Sequence, residues 1–155
     1  MRIGLVVHSD TGNTLSVVEK LQSKLVAAGH EAHVEKLLAA GNSKPGDMNS
    51  EPASLPDLTN YEGLVFAAPV HAFSLSALMR KTLTQIQGMQ GKPTGLLVTQ
   101  AFPFAWLGGN RAMRQMTGVL KEKGAVIAGT EIVNWMGSGL EERITLTTDA
   151  LAKVF

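Results

Sequence analysis

The chain has 155 residues, 45% hydrophobic and 17% charged, with a formal net charge of +1. Such a length and apolar content predict a single domain over 1–155 and exclude a disordered chain, while the balanced charge gives no ground for a nucleic-acid partner. The absence of cysteine excludes disulfides, thiolate catalysis and Cys-bound zinc or iron–sulfur groups. Met1-Arg2-Ile3 leads into a short apolar strand without a cleavage signal, and no apolar run approaches about 18 residues. A cytoplasmic protein with no membrane span is the expectation.

The first predicted element is the continuous apolar run Ile3 to Val7, the pattern of a strand covered on both faces. Leu15, Val18, Leu21 and Leu25 follow at helical spacing, and Gly29 is placed to stop that helix. Glu31 to Leu37 alternates loosely as a more exposed second strand, and Ala39 to Asn60 turns to Gly, Asn, Ser, Pro and Asp, the composition of a long surface loop. Gly63 to Ala68 is a third strand, which Pro69 is expected to break. Ser74 or Ser76 then caps a helix with Leu78, Met79, Leu83 and Ile86 on its core face. Gly95 to Thr99 is a fourth strand, and Asn110 is expected to cap a helix carrying Met113, Met116 and Leu120 up to Gly124. Ala125 to Val133 is a fifth strand, and Glu141 to Val154 a last helix with Glu141 and Glu142 in its first turn.

Five strands alternating with helices predict a three-layer, doubly wound parallel α/β sheet of order 2-1-3-4-5, with its ligand crevice at the carboxyl ends of strands one and three. One of those ends carries Ser9-Asp10-Thr11-Gly12-Asn13-Thr14. The amides of a helix N-terminus lack intrahelical acceptors and lie at the positive end of the helix dipole. Ser9, Thr11 and Thr14 add hydroxyls, Gly12 permits close backbone approach, and no Lys or Arg is present. This is a loop for a phosphate held by amides and hydroxyls. Asp10 is the odd member, a negative charge where a dianion would sit.

The order apolar strand, Ser9, two positions, Gly12, one position, Thr14 resembles the phosphate-loop signature of flavodoxins, with Val7 standing where the family usually has an aromatic. The likeness extends from Met1 through the last helix and looks like the short-chain type. It implies noncovalently held FMN, with its phosphate in Ser9–Thr14 and its ring between two further loops. The first, Pro69-Val70-His71-Ala72-Phe73-Ser74, resembles the turn that covers one side of the ring. The second runs from Thr99 and Gln100 to Gly108 and Gly109. Aromatics are 5% of the chain, yet Phe102, Phe104 and Trp106 cluster in this loop and offer flat contact area. Gly108 and Gly109 would let the backbone approach the pyrimidine edge.

His71 falls near the reactive edge of such a ring and is the candidate catalytic residue, set to stabilise a reduced anionic flavin or orient a substrate. His8 is expected half-buried, His30 and His33 on the surface, and no metal site is predicted. Arg111 and Arg114 read as a solvated stripe that would meet the phosphates of a docked nicotinamide dinucleotide. The resemblance implies electron transfer or two-electron reduction of a small, quinone-like acceptor, with NAD(P)H or a redox protein as donor, and leaves oligomer formation open. Two features lean away from a one-electron carrier. The charge departs from the acidic habit of shuttling flavodoxins, and Pro69–Ser74 has no Gly, so a positive φ at Val70 or Phe73 would be costly. The alternative is a non-catalytic module on this fold that binds another phosphate-bearing ligand or a protein partner. Other α/β chemistries lack their residues: no Gly-x-Gly-x-x-Gly, no Gly-Lys-Ser/Thr and no Cys nucleophile.

Overall fold

The computed structural model describes residues 1–155. In chain order the elements are β1 (Arg2–Val7), α1 (Asn13–Ala27), β2 (Glu31–Lys36), β3 (Gly63–His71), β4 (Ser74–Leu75), α2 (Ala77–Gln85), β5 (Pro93–Gln100), α3 (Gly109–Glu122), β6 (Val126–Asn134) and α4 (Leu140–Ala152). The parallel sheet runs β2-β1-β3-β5-β6, with the two-residue β4 paired antiparallel to β3. The expected five-strand order is therefore present, with one short strand added.

Both faces of the sheet are covered because the central strands alternate two apolar sets. Val6, Leu64, Phe66, Leu96 and Val98 face α2 and α3, meeting Met79, Leu83, Met116 and Leu120. Ile3, Leu5, Val65, Ala67 and Leu97 face α1 and α4, meeting Val18, Leu21, Leu25, Ile144 and Leu151. Each such fully buried side chain contributes roughly 1.5–3 kcal/mol. On α1, Val18, Leu21 and Leu25 are buried as expected, with Thr14 and Val17 joining them and Leu15 only half-buried at the margin of the stripe.

The connection from β2 to β3 contains no helix. It folds back on itself through an isolated bridge between Ala39 and Pro52 and sends Leu37, Leu58 and Tyr61 into the core. Tyr61 fits because Gly4 leaves room: a Cβ there would lie 2.6 Å from the ring. Burial, reinforced by the hydroxyl donating to Glu35 Oε1 at 2.5 Å, pushes the Tyr61 phenol up to about 12.

Pro69 does not end β3. The strand continues to His71 because Pro69 aligns with Thr99 and Val70 with Leu75, which carries the chain into a hairpin. At the far side, β6 is an edge strand nine residues long. Glu131, aligned with Leu97, is half-buried there, and burial raises its carboxyl above the usual range. No helix is long and apolar enough to cross a membrane.

Candidate functional site

The crevice lies at the carboxyl ends of β1, β3, β5 and β6. After β1, His8 continues the ladder for one residue, its amide donating to Ala67 O at 2.9 Å. The chain then turns through Ser9–Gly12 into α1. Gly12 caps that helix at φ 91°, with nothing within 4 Å of where a Cβ would stand. Ser9 Oγ accepts the Leu15 amide at 3.2 Å, and Thr14 Oγ1 pairs with Thr99 Oγ1 at 2.7 Å in a buried contact. The loop is thus tied both to its own helix and to β5, with Thr11 exposed and Asn13 half-buried at its mouth.

On the far wall, β3 and β4 form a hairpin whose two turn residues, Ala72 and Phe73, have φ 49° and 60°. Two left-handed residues match the right-handed twist of a two-residue hairpin, a conformation usually left to Gly or Asn. The positive φ expected to be costly at Val70 or Phe73 for lack of Gly is adopted at Phe73, with Ala72 beside it, and not at Val70. The turn is held from outside: Gln115 Oε1 accepts both Ser74 Oγ–H at 3.0 Å and the Leu75 amide at 2.8 Å. Phe73 stacks on Phe102 with centroids 6.3 Å apart, and the turn rests on Gly108.

Gly108, at φ 113°, and not Asn110, caps α3. A Cβ on it would stand 2.7 Å from Val70 Cγ1 and 2.8 Å from Phe73 Cα, and one on Gly109 would stand 2.3 Å from Gln100 Oε1. Both glycines are therefore needed by the protein's own packing, a role the sequence reading did not give them. Ser76 holds the N-cap position of α2, one of the two expected, but its hydroxyl is bonded to His8 and makes no cap hydrogen bond.

The aromatic loop also differs from expectation. Phe73, Phe102, Phe104 and Trp106 are 45–72% exposed, and Phe104 stacks on Trp106 with centroids 5.7 Å apart. None of the four lines the main cavity. Gln100 Nε2 donates to the carbonyls of Phe102 and Phe104, both at 2.7 Å, which turns the loop outward. In their place stand Trp135 and Met136, just past β6, whose amides donate to Gln100 O and Ala101 O. Arg143 of α4 fixes them by donating to Asn134 O, Met136 O and Ser138 O. Their sequence signal was available: an aromatic directly after the fifth strand falls at the same sheet end as the phosphate loop.

The resulting cavity, about 390 Å³, is walled by Asp10, Thr11, Asn13, Thr14, Pro69, Val70, His71, Thr99, Gln100, Ala101, Trp135 and Met136. Gln100 Oε1 is buried without a hydrogen-bond partner. A smaller cavity of about 130 Å³ lies across Asp10, under the segment 37–50. Between the two, Asp10 Oδ1 accepts from His8 Nε2 at 2.9 Å, and Oδ2 lies 3.1 Å from His71 Nε2. Each imidazole takes a separate carboxylate oxygen. Burial lowers the His71 imidazolium below its ordinary range, opposed by the Asp10 charge and aided by His8. His8 is almost fully buried, more than expected. His30 pairs with the chain's amino terminus and His33 with Glu31, while Arg111 and Arg114 are exposed.

No family model and no curated protein matches the chain. Solved structures do. The chain is similar to the two-electron reduced flavodoxin of Megasphaera elsdenii, at 20% identity and TM-score 0.70, over 97% of this chain and 98% of that one. The fold is flavodoxin-like. A flavodoxin, WrbA-like protein from Agrobacterium tumefaciens is similar at 15% identity and TM-score 0.69, over 99% and 96% of the two chains. Oxidised flavodoxin 1 from Bacillus cereus follows at 14% identity and TM-score 0.63, over 99% and 98%. The flavodoxin-like order places the switch point between β1 and β3, which is where the larger cavity opens.

Proposed function

We propose that the chain is an FMN-binding flavoprotein serving electron transfer or the two-electron reduction of a small acceptor. One observation carries this reading. A cavity of about 390 Å³ begins at the N-terminus of α1 and ends between apolar walls, a size and polarity gradient suited to a phosphate at one end and a flat ring at the other. Ser9, Thr11 and Thr14 hydroxyls and the first amides of α1 would hold the phosphate. Pro69, Val70, Trp135 and Met136 would flank the ring.

When bound, FMN supplies hydride and electron chemistry that no side chain of this chain possesses. The chain's own share is to bind, orient and exclude water. His71 presents an imidazole kept neutral by burial, suited to donating or accepting a hydrogen bond at the ring edge. NAD(P)H or a redox protein as donor, and a quinone-like acceptor, would approach past the exposed Phe73–Phe102 and Phe104–Trp106 pairs. A cytoplasmic setting is consistent with this reading. Titration of the purified chain with FMN, followed by visible absorption, tests it: tight one-to-one uptake is expected, and no uptake overturns the flavin assignment.

A further inference from the structure

Asp10 sits where an incoming phosphate would meet the first turn of α1, and like charges at such range repel. Its carboxylate is engaged on the protein side. It contacts His8 Nε2 and His71 Nε2 at 2.9 and 3.1 Å and accepts the Gly46 amide at 3.2 Å. His8 Nδ1 is in turn 2.7 Å from Ser76 Oγ, and the two imidazole rings stand edge to face with centroids 5.7 Å apart. With both imidazoles neutral the cluster carries one negative charge. One added proton makes it neutral. A second would set two imidazolium ions side by side, against their mutual repulsion. The remaining charges around the cluster are Lys44 and Asp47, both from the segment between β2 and β3 and opposite in sign; α2 contributes only the apolar Leu78. The cluster therefore has room for one proton.

We propose that the His8–Asp10–His71 cluster makes phosphate binding at Ser9–Thr14 proton-linked, taking up one proton from solvent for each phosphate monoester dianion bound. This rests on the reading of the crevice as a phosphate site. The only bond formed is N–H on an imidazole, and the charge beside the loop goes from −1 to zero. Burial disfavours a proton on His71 in the free chain, and an adjacent dianion raises its proton affinity. The sign follows: affinity for the dianion falls by about tenfold per pH unit between the imidazole pKa of the free chain and the higher one of the complex, and levels off on either side of that window.

The test is isothermal calorimetry of the full chain with FMN, above about pH 7 where a phosphate monoester is already a dianion. Buffers of different ionisation enthalpy count the protons, and methyl phosphate is the second probe. Uptake of about one proton is expected for the native chain. Asp10→Asn should bind without uptake, and at the alkaline end at least as tightly as the native chain, because the amide keeps the shape and removes the repulsion. His71→Gln should also lower the uptake. Unchanged uptake in Asp10→Asn, or an affinity loss of equal factor at every pH, overturns the proton link. FMN binding without uptake overturns it and leaves the flavin reading standing. Methyl phosphate binding with uptake, where FMN does not bind, does the reverse. Binding of neither overturns both.

Discussion

Gly12 and Gly108 each cap a helix at the crevice with a left-handed backbone, at φ 91° and 113°. Around Gly12 the space is open; around Gly108 it is filled by Val70 and the backbone of Phe73. The backbone turn of the first lip follows from its own sequence, a strand, a short hydroxyl-bearing turn and a helix start, with only side-chain bonds of Thr14 and Asp10 reaching distant segments. The second is shaped by contacts between distant segments, in which a hairpin turn, a helix cap and an aromatic pair lock one another. A locally encoded loop tolerates change near it, whereas an interlocked one transmits it.

The largest expected effect is at the interlocked lip. Gly108→Ala combines left-handed strain with a backbone clash and should cost about 3 kcal/mol or more, read as a lower denaturant midpoint. Next comes the local lip, through ligand rather than stability. Ser9→Ala and Thr14→Ala should each weaken FMN binding by about 1–3 kcal/mol, and unchanged affinity in the double variant would remove this loop from the site. Gly12→Ala should cost only the backbone term, about 1–2 kcal/mol; a loss as large as at Gly108 would break the contrast between the lips. The smallest effect has the opposite sign. Ala72→Gly relieves left-handed strain but loosens the unfolded chain, for a net gain of at most about 1 kcal/mol in thermal unfolding.

This contrast explains what could be read from the sequence. The strand order was legible because the apolar runs of β1, β3 and β5 alternate with helical periodicity, the pattern of a doubly wound sheet, and the Ser9–Thr14 loop because a strand end, hydroxyls and a helix start adjoin in the chain. The continuation of β3 through Pro69 was not, since it depends on pairing with Thr99 and Leu75. The outward turn of Phe102, Phe104 and Trp106 is held by the Gln100 side chain two and four residues earlier, a side-chain-to-backbone bond that composition and spacing do not reveal. Trp135 and Met136 were legible as residues directly after the fifth strand, at the crevice end; their fixing by Arg143, on the next helix, was not. Asp10 looked misplaced in one dimension and is paired in three, with His71 arriving from 61 residues along the chain.

Half-buried Glu131 has a consequence for the edge it occupies. An inward charge on a long edge strand discourages a second molecule from adding its own strand there. That safeguard costs stability while the carboxylate is ionised, because burial disfavours its charge. On acidification Glu131 takes up its proton sooner than an ordinary glutamate, so the strain eases as the safeguard disappears. Mild acid would thus remove the charge that guards β6 early, with self-association through that edge setting in while the molecule is still native.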